Sequence, residues 1–176
     1  MDNELWLPIV GYEGLYDVSN IGHVRSITGA LKKNQTTTKG YASCGLYKES
    51  HQKVMKVHRL VYKAFIGTLS DSEQINHING DKKDNRVTNL EKVSCVDNVN
   101  HCYIGKKQRS YFPGVNPYKN KWAVYATVGK ERIYLGTFGK EESAGKAYIE
   151  FLISRGRSTK YAQKRFDEAI RRKEKP

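Results

Sequence analysis

Turn-forming residue pairs recur at short intervals through the first third of the chain, so this part can form only short strands or helices. Apolar and polar residues alternate over residues 15–18 and 24–27, which is the pattern of half-buried strands. Turn-forming pairs interrupt these runs at Ser19-Asn20, Gly22-His23, Thr28-Gly29 and Lys39-Gly40. Residues 1–57 are therefore predicted to form antiparallel strands and hairpins, with a polar loop over residues 32–40.

Residues 58–103 are predicted to begin and end with a helix. Apolar residues recur at helical spacing over residues 60–65, and Gly67 is a natural helix stop. Residues 90–103 indicate a short strand followed by a helix that has Ser94 as its N-cap.

The polar stretch between these elements, residues 76–89, holds the candidate chemical groups. His77 is suited to act as a general base near neutral pH. The amide oxygens of Asn76, Asn89 and Asn98 are hard donors of the kind that hold Mg²⁺ or Mn²⁺. Taken alone, the same spacing also fits a polar turn with capping asparagines and one surface histidine, so both interpretations stay open at this point.

Residues 111–154 predict a three-stranded antiparallel sheet packed on one helix. Alternating apolar residues mark strands over residues 122–128 and 132–138, separated by the turn Gly129-Lys130. The helix spans residues 141–153, and one apolar face combines Ala144, Ala147, Tyr148, Phe151 and Leu152.

Alternation also assigns the two faces of this sheet. One face packs on the helix and comprises Trp122, Val124, Ala126, Ile133 and Leu135. The other carries Lys121, Tyr125, Thr127, Arg132 and Tyr134. Such a face suits a groove of duplex DNA, because strands enter the major groove and Arg contacts guanine with two hydrogen bonds. An ordinary amphipathic sheet with a solvated face is the alternative.

Charge is concentrated in the last part of the chain. The 31 Lys and Arg against 18 Asp and Glu give a net charge of +13. Residues 106–176 hold 18 basic and 7 acidic side chains and therefore almost all of the excess. This distribution predicts a polyanionic partner. It includes a basic linker at residues 104–110 and a basic tail at residues 155–176, which is either a helix or disordered.

Several protein classes do not fit this sequence. No run of about 18 apolar residues exists, so no membrane span is expected, and the N-terminus lacks the pattern of a signal peptide. Three cysteines without a C-x-x-C pair argue against a disulfide framework and a thiolate zinc site. We therefore expect a cytoplasmic protein that needs no small-molecule cofactor.

Two stretches of the chain resemble known nuclease motifs. The first comprises Val57-His58-Arg59-Leu60-Val61, Ile75-Asn76-His77-Ile78-Asn79-Gly80-Asp81-Lys82, Asn85-Arg86, Asn89-Leu90-Glu91 and Asn98-Val99. It resembles the HNH nuclease module of phage homing endonucleases. Residues 6–26, from Trp6-Leu7-Pro8 to Val24-Arg25-Ser26, resemble the modular motif that usually precedes this nuclease.

The resemblance implies a ββα-metal active site and a role for each candidate residue. His77 would be the general base that deprotonates water, and Asn76 and Asn98 would hold one divalent cation, Mg²⁺ or Mn²⁺. Asn89 would orient the His77 loop or the scissile phosphate. The position before the base is Asp in some members of the family, so here the site would need more metal or a contribution from Asp81 or Asp84.

A second resemblance covers residues 111–154. It rests on Gly114-Val115, Lys121-Trp122-Ala123, Ile133-Tyr134-Leu135-Gly136-Thr137-Phe138, Glu141-Glu142-Ser143-Ala144 and Ala147-Tyr148. These residues are similar to the Apetala-type DNA-binding domain of plant ethylene-response factors, whose sheet lies in the major groove. We expect Asn116 and Tyr118 to contact DNA as well, but they stand where that family carries arginines, so its base preference does not transfer to this chain.

The sequence thus predicts an α+β, site-preferring, metal-dependent HNH homing endonuclease of phage origin that acts on double-stranded DNA in the infected cell. Its predicted parts are a β-rich motif (residues 1–57), the ββα-metal module (58–103), the linker (104–110), the sheet-and-helix DNA-binding domain (111–154) and the tail (155–176). A monomer is expected on DNA, nicking one strand. The alternatives are a DNA-binding regulator that has lost catalysis and, less well supported by the sheet, an RNA-binding protein.

Overall fold

The computed structural model describes residues 3–70, 73–104, 106 and 109–174. The chain divides into two compact units, Met1–Val93 and Ser94–Pro176. Four small antiparallel sheets and four α-helices occur within the described residues, which confirms the predicted α+β class. The predicted linker includes residues 105, 107 and 108, which lie outside the described residues. The same holds for the last two residues of the basic tail.

The first unit contains two three-stranded sheets, one helix and a hairpin. Its first sheet has the order β1-β2-β3, with β1 Trp6–Pro8, β2 Tyr16–Ser19 and β3 Val24–Ser26. The second has the order β4-β5-β6, with β4 Gln35–Thr36, β5 Ala42–Lys48 and β6 His51–Lys56. Helix α1, Val57–Phe65, follows β6 directly, and β7, Gln74–His77, pairs with β8, Leu90–Val93.

A single apolar core joins both sheets, α1 and the hairpin. It draws residues from the strands before α1, from α1 itself and from the β7-β8 hairpin: Ile9, Tyr16, Val18, Val24, Ala42, Cys44, Leu46, Val57, Leu60, Val61, Tyr62, Leu69, Ile75 and Leu90. The helix ends as predicted, because the backbone N–H of Gly67 donates to the carbonyl oxygen of Tyr62. Burial of α1 therefore depends on strands from the first third of the chain.

Two stretches predicted as loops contain regular structure. Gln35 and Thr36, within residues 32–40, form β4 and pair with β5. Asn76 and His77 end strand β7, and Val87–Asn89 form one turn of 3₁₀-helix. The strand was not predicted because Asn76 and His77 are polar and polar residues usually indicate exposure to water. In the structure both side chains are buried and hydrogen-bonded.

The second unit holds the predicted sheet and three helices. These elements are α2 Cys95–Cys102, β9 Val115–Tyr118, β10 Lys121–Val128, β11 Glu131–Phe138, α3 Glu141–Ser154 and α4 Lys160–Glu174. The sheet has the order β11-β10-β9 and packs on α3. Of the two alternatives for the basic tail, the structure shows the helix, α4, whose Phe166 and Ala169 enter the core of this unit.

The buried face of α3 differs from the predicted one. Ala144, Tyr148 and Leu152 are buried as expected, but Gly145 and Ile149 are buried in place of Ala147 and Phe151. Helix α4 causes the difference, since α3 packs against both the sheet and α4. A β-carbon at Gly145 would lie 2.6 Å from a ring carbon of Phe112 and 3.0 Å from one of Phe166, so only glycine fits this contact.

The three cysteines should differ sharply in reactivity. Cys44 is buried in the first core, and burial raises the pKa of its thiol to about 11, whereas Cys95 and Cys102 are exposed on α2. Because the thiolate is the reactive form, we expect two thiols per chain to react rapidly with a chromogenic disulfide at neutral pH. The third should react only after unfolding in guanidinium. Rapid reaction of all three in the native protein would contradict this burial.

Candidate functional site

The β7-β8 hairpin positions Asn76 and His77 in the first unit. Asn76 lies directly opposite Glu91, and His77 lies opposite Leu90. Neighbouring residues on a strand project to opposite faces, so the two side chains enter different environments. Both are buried, at 5% and 3% exposure, although each carries polar atoms.

The imidazole of His77 is oriented by Asn85. Its Nε2 lies 3.2 Å from Asn85 Oδ1. The Asn85 amide is itself oriented, since its Nδ2 donates to the carbonyl oxygen of Lys83 at 2.9 Å. Because Oδ1 can only accept, we assign the ring hydrogen to Nε2, which leaves the lone pair on Nδ1. This is the tautomer of an imidazole that is ready to take up a proton.

Two further rings surround His77. The ring of His58, from α1, lies edge-on to it with centroids 5.1 Å apart, and the ring of Tyr41 lies 6.0 Å away. Burial lowers the pKa of His77, although its hydrogen bond to Asn85 works in the opposite direction. Burial also lowers the pKa of His58 to about 3, helped by His77, Lys56 and Arg59. Both imidazoles are therefore neutral near pH 7.

Asn89 fixes the loop that follows His77. Its Oδ1 accepts from the backbone N–H of Asn79 at 3.0 Å, and its Nδ2 donates to Asn79 Oδ1 and to the carbonyl oxygen of Asp84. The backbone N–H of Ile78 in turn donates to the carbonyl oxygen of Asn89. The predicted contact with the loop is present, and a role of Asn89 in catalysis stays a prediction.

The carboxylate bonded to Asn76 is that of Glu91, a motif residue to which the sequence assigned no role. Asn76 Nδ2 donates to Glu91 Oε1 at 2.9 Å across the hairpin. Asp84, by contrast, is held by Arg86 and Asn79, both of which donate to its carboxylate. The amide of Asn76 thus lies beside a carboxylate of β8, whereas the carboxylate of Asp84 is hydrogen-bonded within its own loop.

The turn between β2 and β3 packs on the same loop. The carbonyl oxygen of Asn20 accepts from the backbone N–H of Val87 at 2.8 Å. Gly22 has a φ of +91°, and a β-carbon there would lie 2.6 Å from Cβ of Asn85. The residue that orients His77 is therefore packed directly against a turn from the N-terminal motif.

Asn98 lies on α2, which belongs to the second unit. The N-cap is the predicted one: Ser94 Oγ accepts from the backbone N–H of Asp97 at 3.1 Å and donates to its carboxylate. Asn98 is half-buried, one turn into this helix. Its proposed role as a metal ligand stays a prediction.

The seven residues predicted to contact DNA share one face of the sheet in the second unit. Strand pairing places Tyr118 opposite Lys121, Tyr125 opposite Tyr134, and Thr127 opposite Arg132. Directly paired residues project to the same side, and Asn116 lies on that side through its pairing with Ala123. The exposed members are Tyr118, Lys121, Thr127, Arg132 and Tyr134; Asn116 and Tyr125 are half-buried.

Arg132 and two tyrosines form a compact group on this face. The Arg132 guanidinium lies 3.9 Å from the centre of the Tyr125 ring, and the Tyr125 and Tyr134 rings are 5.4 Å apart. The hydroxyl of Tyr134 is hydrogen-bonded to that of Thr137. A cation stacked on aromatic rings is held in a defined position while its N–H groups remain directed outward.

Two other kinds of site are absent from the described residues. No group of three or more His, Cys, Asp or Glu side chains that could hold a metal occurs among the described residues. No helix within those ranges is both long enough and apolar enough to span a bilayer.

Comparison with known proteins supports the nuclease motifs. Residues 4–47 match the sequence model of the NUMOD4 motif, and residues 55–99 match that of the HNH endonuclease family. The second match includes Asn76, His77, Asn89 and Asn98. Neither extends beyond residue 99, so the resemblance of residues 111–154 to an Apetala-type domain stays a prediction.

Individual relatives agree with these matches. The DNA endonuclease I-HmuI of Bacillus phage SP01 is 41% identical over 95 residues, which is 53% of this chain and 55% of the enzyme. An uncharacterized HNH endonuclease, L247 of Acanthamoeba polyphaga mimivirus, is 40% identical over 104 residues, 56% of this chain and 26% of that protein.

A solved structure also matches this chain. The HNH homing endonuclease I-HmuI, which binds and cleaves DNA, superimposes with a TM-score of 0.54 and 39% identity. The superposition covers 59% of this chain and 61% of that chain. This chain thus matches between about a quarter and three-fifths of the length of these relatives. It carries a NUMOD4 motif followed by an HNH endonuclease module, and this part is homologous to the phage homing endonuclease I-HmuI.

Proposed function

We propose that this protein is a divalent-metal-dependent HNH endonuclease that hydrolyses phosphodiester bonds of double-stranded DNA at preferred sites. The observation that carries the proposal is the environment of His77: a buried, neutral imidazole whose Nε2–H is held by Asn85 and whose Nδ1 carries the lone pair. A neutral imidazole that carries its lone pair on Nδ1 is the form that a general base needs.

His77 would act on the attacking water. Its Nδ1 takes a proton from a water molecule as the oxygen attacks phosphorus, and the bond to the leaving oxygen breaks. Asn85 keeps the ring oriented during the transfer, because the Nε2–H donor becomes a stronger donor when the ring is charged. Asn89 keeps the backbone of the loop after His77 in place through its three hydrogen bonds.

The donor set fits one hard divalent cation, Mg²⁺ or Mn²⁺. Asn76 and Glu91 place an amide and a carboxylate side by side on one face of the hairpin. Oxygen donors of these two kinds are the ligands that Mg²⁺ takes in proteins. We assign Asn76 and Glu91 as residues that would hold the ion, and the assignment of Asn98, on α2 of the second unit, rests on the motif alone. When bound, the ion would stabilise charge on the phosphate and on the leaving oxygen.

The sheet of the second unit would hold the enzyme on DNA. Its face of Tyr118, Lys121, Thr127, Arg132 and Tyr134 is exposed and basic, and α3 supports the opposite face. A three-stranded sheet with a helix behind it is also the architecture expected of an Apetala-type domain. We assign this face to the major groove, with Asn116 and Tyr125 at its partly buried positions. On this proposal the protein acts as a monomer on DNA in a phage-infected cell.

Cleavage should depend strictly on a divalent cation. We expect supercoiled plasmids that carry phage DNA inserts to be converted to nicked circles in Mg²⁺ or Mn²⁺ and to stay intact in excess chelator. One active site per chain predicts a nicked rather than a linear product from the monomer. The products are resolved on agarose gels over time.

Three results would count against parts of this proposal. Equal cleavage rates with and without chelator would exclude the metal-dependent mechanism. Linear DNA as the sole product of a monomer would exclude nicking by one site. Tight, specific binding without any cleavage of the bound DNA, in either metal, would favour a DNA-binding regulator.

The sheet face should contribute mainly to binding. Arg132→Ala is expected to weaken duplex binding by about tenfold to a hundredfold if the guanidinium contacts a base, since such contacts contribute about 1–3 kcal/mol. Lys146→Ala is the matched control, because Lys146 is an exposed cation on α3 rather than on the sheet. Binding is measured by fluorescence anisotropy at two salt concentrations. Equal losses in both variants would contradict a specific role for this face.

A further inference from the structure

The second unit contains a polar cavity that the proposed nuclease chemistry does not use. It has a volume of about 390 Å³, and its lining includes Arg109, Arg165, Asn100, Asn116, Tyr103 and Tyr148. This volume lies in the range of small-ligand sites, about 300–1,000 Å³. Residues with two guanidinium groups, two amides and two phenols therefore line one partly open cavity, beside apolar residues.

Arg165 is the unusual member of this lining. It comes from α4 and is only 7% exposed. Its Nε donates to the carbonyl oxygen of Tyr111 at 2.9 Å and its Nη2 to that of Ser110 at 3.5 Å. Neither acceptor carries a charge, and no carboxylate pairs with this arginine among the described residues. Asp97, the buried carboxylate of α2, is instead bonded to Ser94.

A buried cation without a counter-ion is energetically unfavourable. Desolvation of a charged group costs several kcal/mol, and neutral carbonyl groups offset only part of that cost. Burial accordingly lowers the pKa of Arg165, although a guanidinium remains protonated at neutral pH. An anion in the cavity would supply the missing charge and accept from the guanidinium Nη1, which has no hydrogen-bond acceptor among the described residues.

We propose that this cavity is a phosphate-binding site in which Arg165 and Arg109 hold one phosphate group of a nucleotide. Guanidinium groups match phosphate oxygens with paired hydrogen bonds, and the amides and phenols of the lining suit the remaining oxygens and the sugar. The group comes either from the backbone of bound DNA or from a free phosphorylated molecule. Asn116, on the face of β9 that we propose to contact DNA, also lines the cavity. The backbone phosphate is therefore the expected occupant, an expectation that rests on the proposed function.

The test is isothermal titration of the full chain with inorganic phosphate at constant ionic strength and in excess chelator, so that cleavage plays no part. We expect saturable binding that weakens at least about tenfold in Arg109→Gln, the loss typical of one charge-assisted hydrogen bond. Arg109 is exposed, so this variant should fold normally. Arg165→Lys keeps the charge but not the paired geometry and should also bind more weakly, whereas Lys146→Gln, a cation outside the cavity, should bind as the wild type does.

A short duplex added before the titration separates the two sources of phosphate. Loss of phosphate binding when the duplex is present identifies a backbone phosphate as the occupant. Unchanged phosphate binding with the duplex bound identifies a free phosphorylated molecule. Absence of saturable binding by the wild type, or equal affinity in the wild type and Arg109→Gln, would overturn the proposal. None of these outcomes depends on whether the protein cleaves DNA.

Discussion

His77→Ala should lower the rate of DNA cleavage about a hundredfold to ten-thousandfold, the contribution typical of a positioned general base. The imidazole is the group whose tautomer Asn85 fixes. DNA affinity should change little, because the proposed binding face lies on β9, β10 and β11. Single-turnover nicking rates, measured beside binding by anisotropy, separate the two effects.

The controls for this experiment address stability and specificity. His77 is buried against His58 and Tyr41, so His77→Gln is tested in parallel to keep most of the side-chain volume. Both variants should be inactive and should show cooperative unfolding. His51→Ala removes an exposed histidine of β6 and should nick DNA at the wild-type rate. A rate within a fewfold of wild type for both His77 variants would exclude His77 as the base.

Gly22→Ala should destabilise the first unit and reduce cleavage together. The φ of +91° is strained for a residue with a side chain, at about 1–2 kcal/mol. The new methyl group would lie 2.6 Å from Cβ of Asn85 and must displace it, and such overpacking costs about 1–3 kcal/mol more. Displacing Asn85 would also release Nε2 of His77. Urea unfolding and nicking rates measure the two consequences.

Gly29→Ala is the matched control for this substitution. Gly29 has a φ of +86°, but no atom lies within 4 Å of the position that a β-carbon would take. Gly29→Ala should therefore reduce the free energy of unfolding only by the cost of backbone strain. Its nicking rate should stay at the wild-type value under conditions where the protein is folded. Identical losses of stability and activity in the two variants would show that contact between Gly22 and Asn85 has no functional importance.

Local patterns predicted most of the regular structure. Apolar periodicity gave α1, α2, β10, β11 and α3 to within one or two residues, because each is bounded by a cap or a turn that is local in the chain. The alternation across β10 also grouped the exposed side chains correctly, even though β11 contains an irregularity opposite Val124 and Tyr125. What failed was the buried face of α3, since its position depends on α4.

The candidate site was predictable only in part. The motif singled out Asn76, His77 and Asn89, but its polarity suggested exposure, whereas all three are buried. The partners of these residues depend on pairing across the hairpin and on folding of the loop, which determine that Glu91 lies beside Asn76 and Asn85 beside His77. Both partners belong to the nuclease motif, but the sequence alone does not indicate which side chains they contact.

The shared core of the first unit has a consequence for recombination between homing enzymes. Exchange of nuclease cassettes requires crossover points where few apolar contacts are cut. A crossover near residue 57 would separate Val18 and Leu46 from Leu60 and Val61, which pack in one core. A crossover at the junction between Val93 and Ser94 spares that core, but it replaces α2 and with it the proposed ligand Asn98. The NUMOD4 segment and the β7-β8 hairpin should therefore be inherited together, and engineered chimaeras should exchange them as one block.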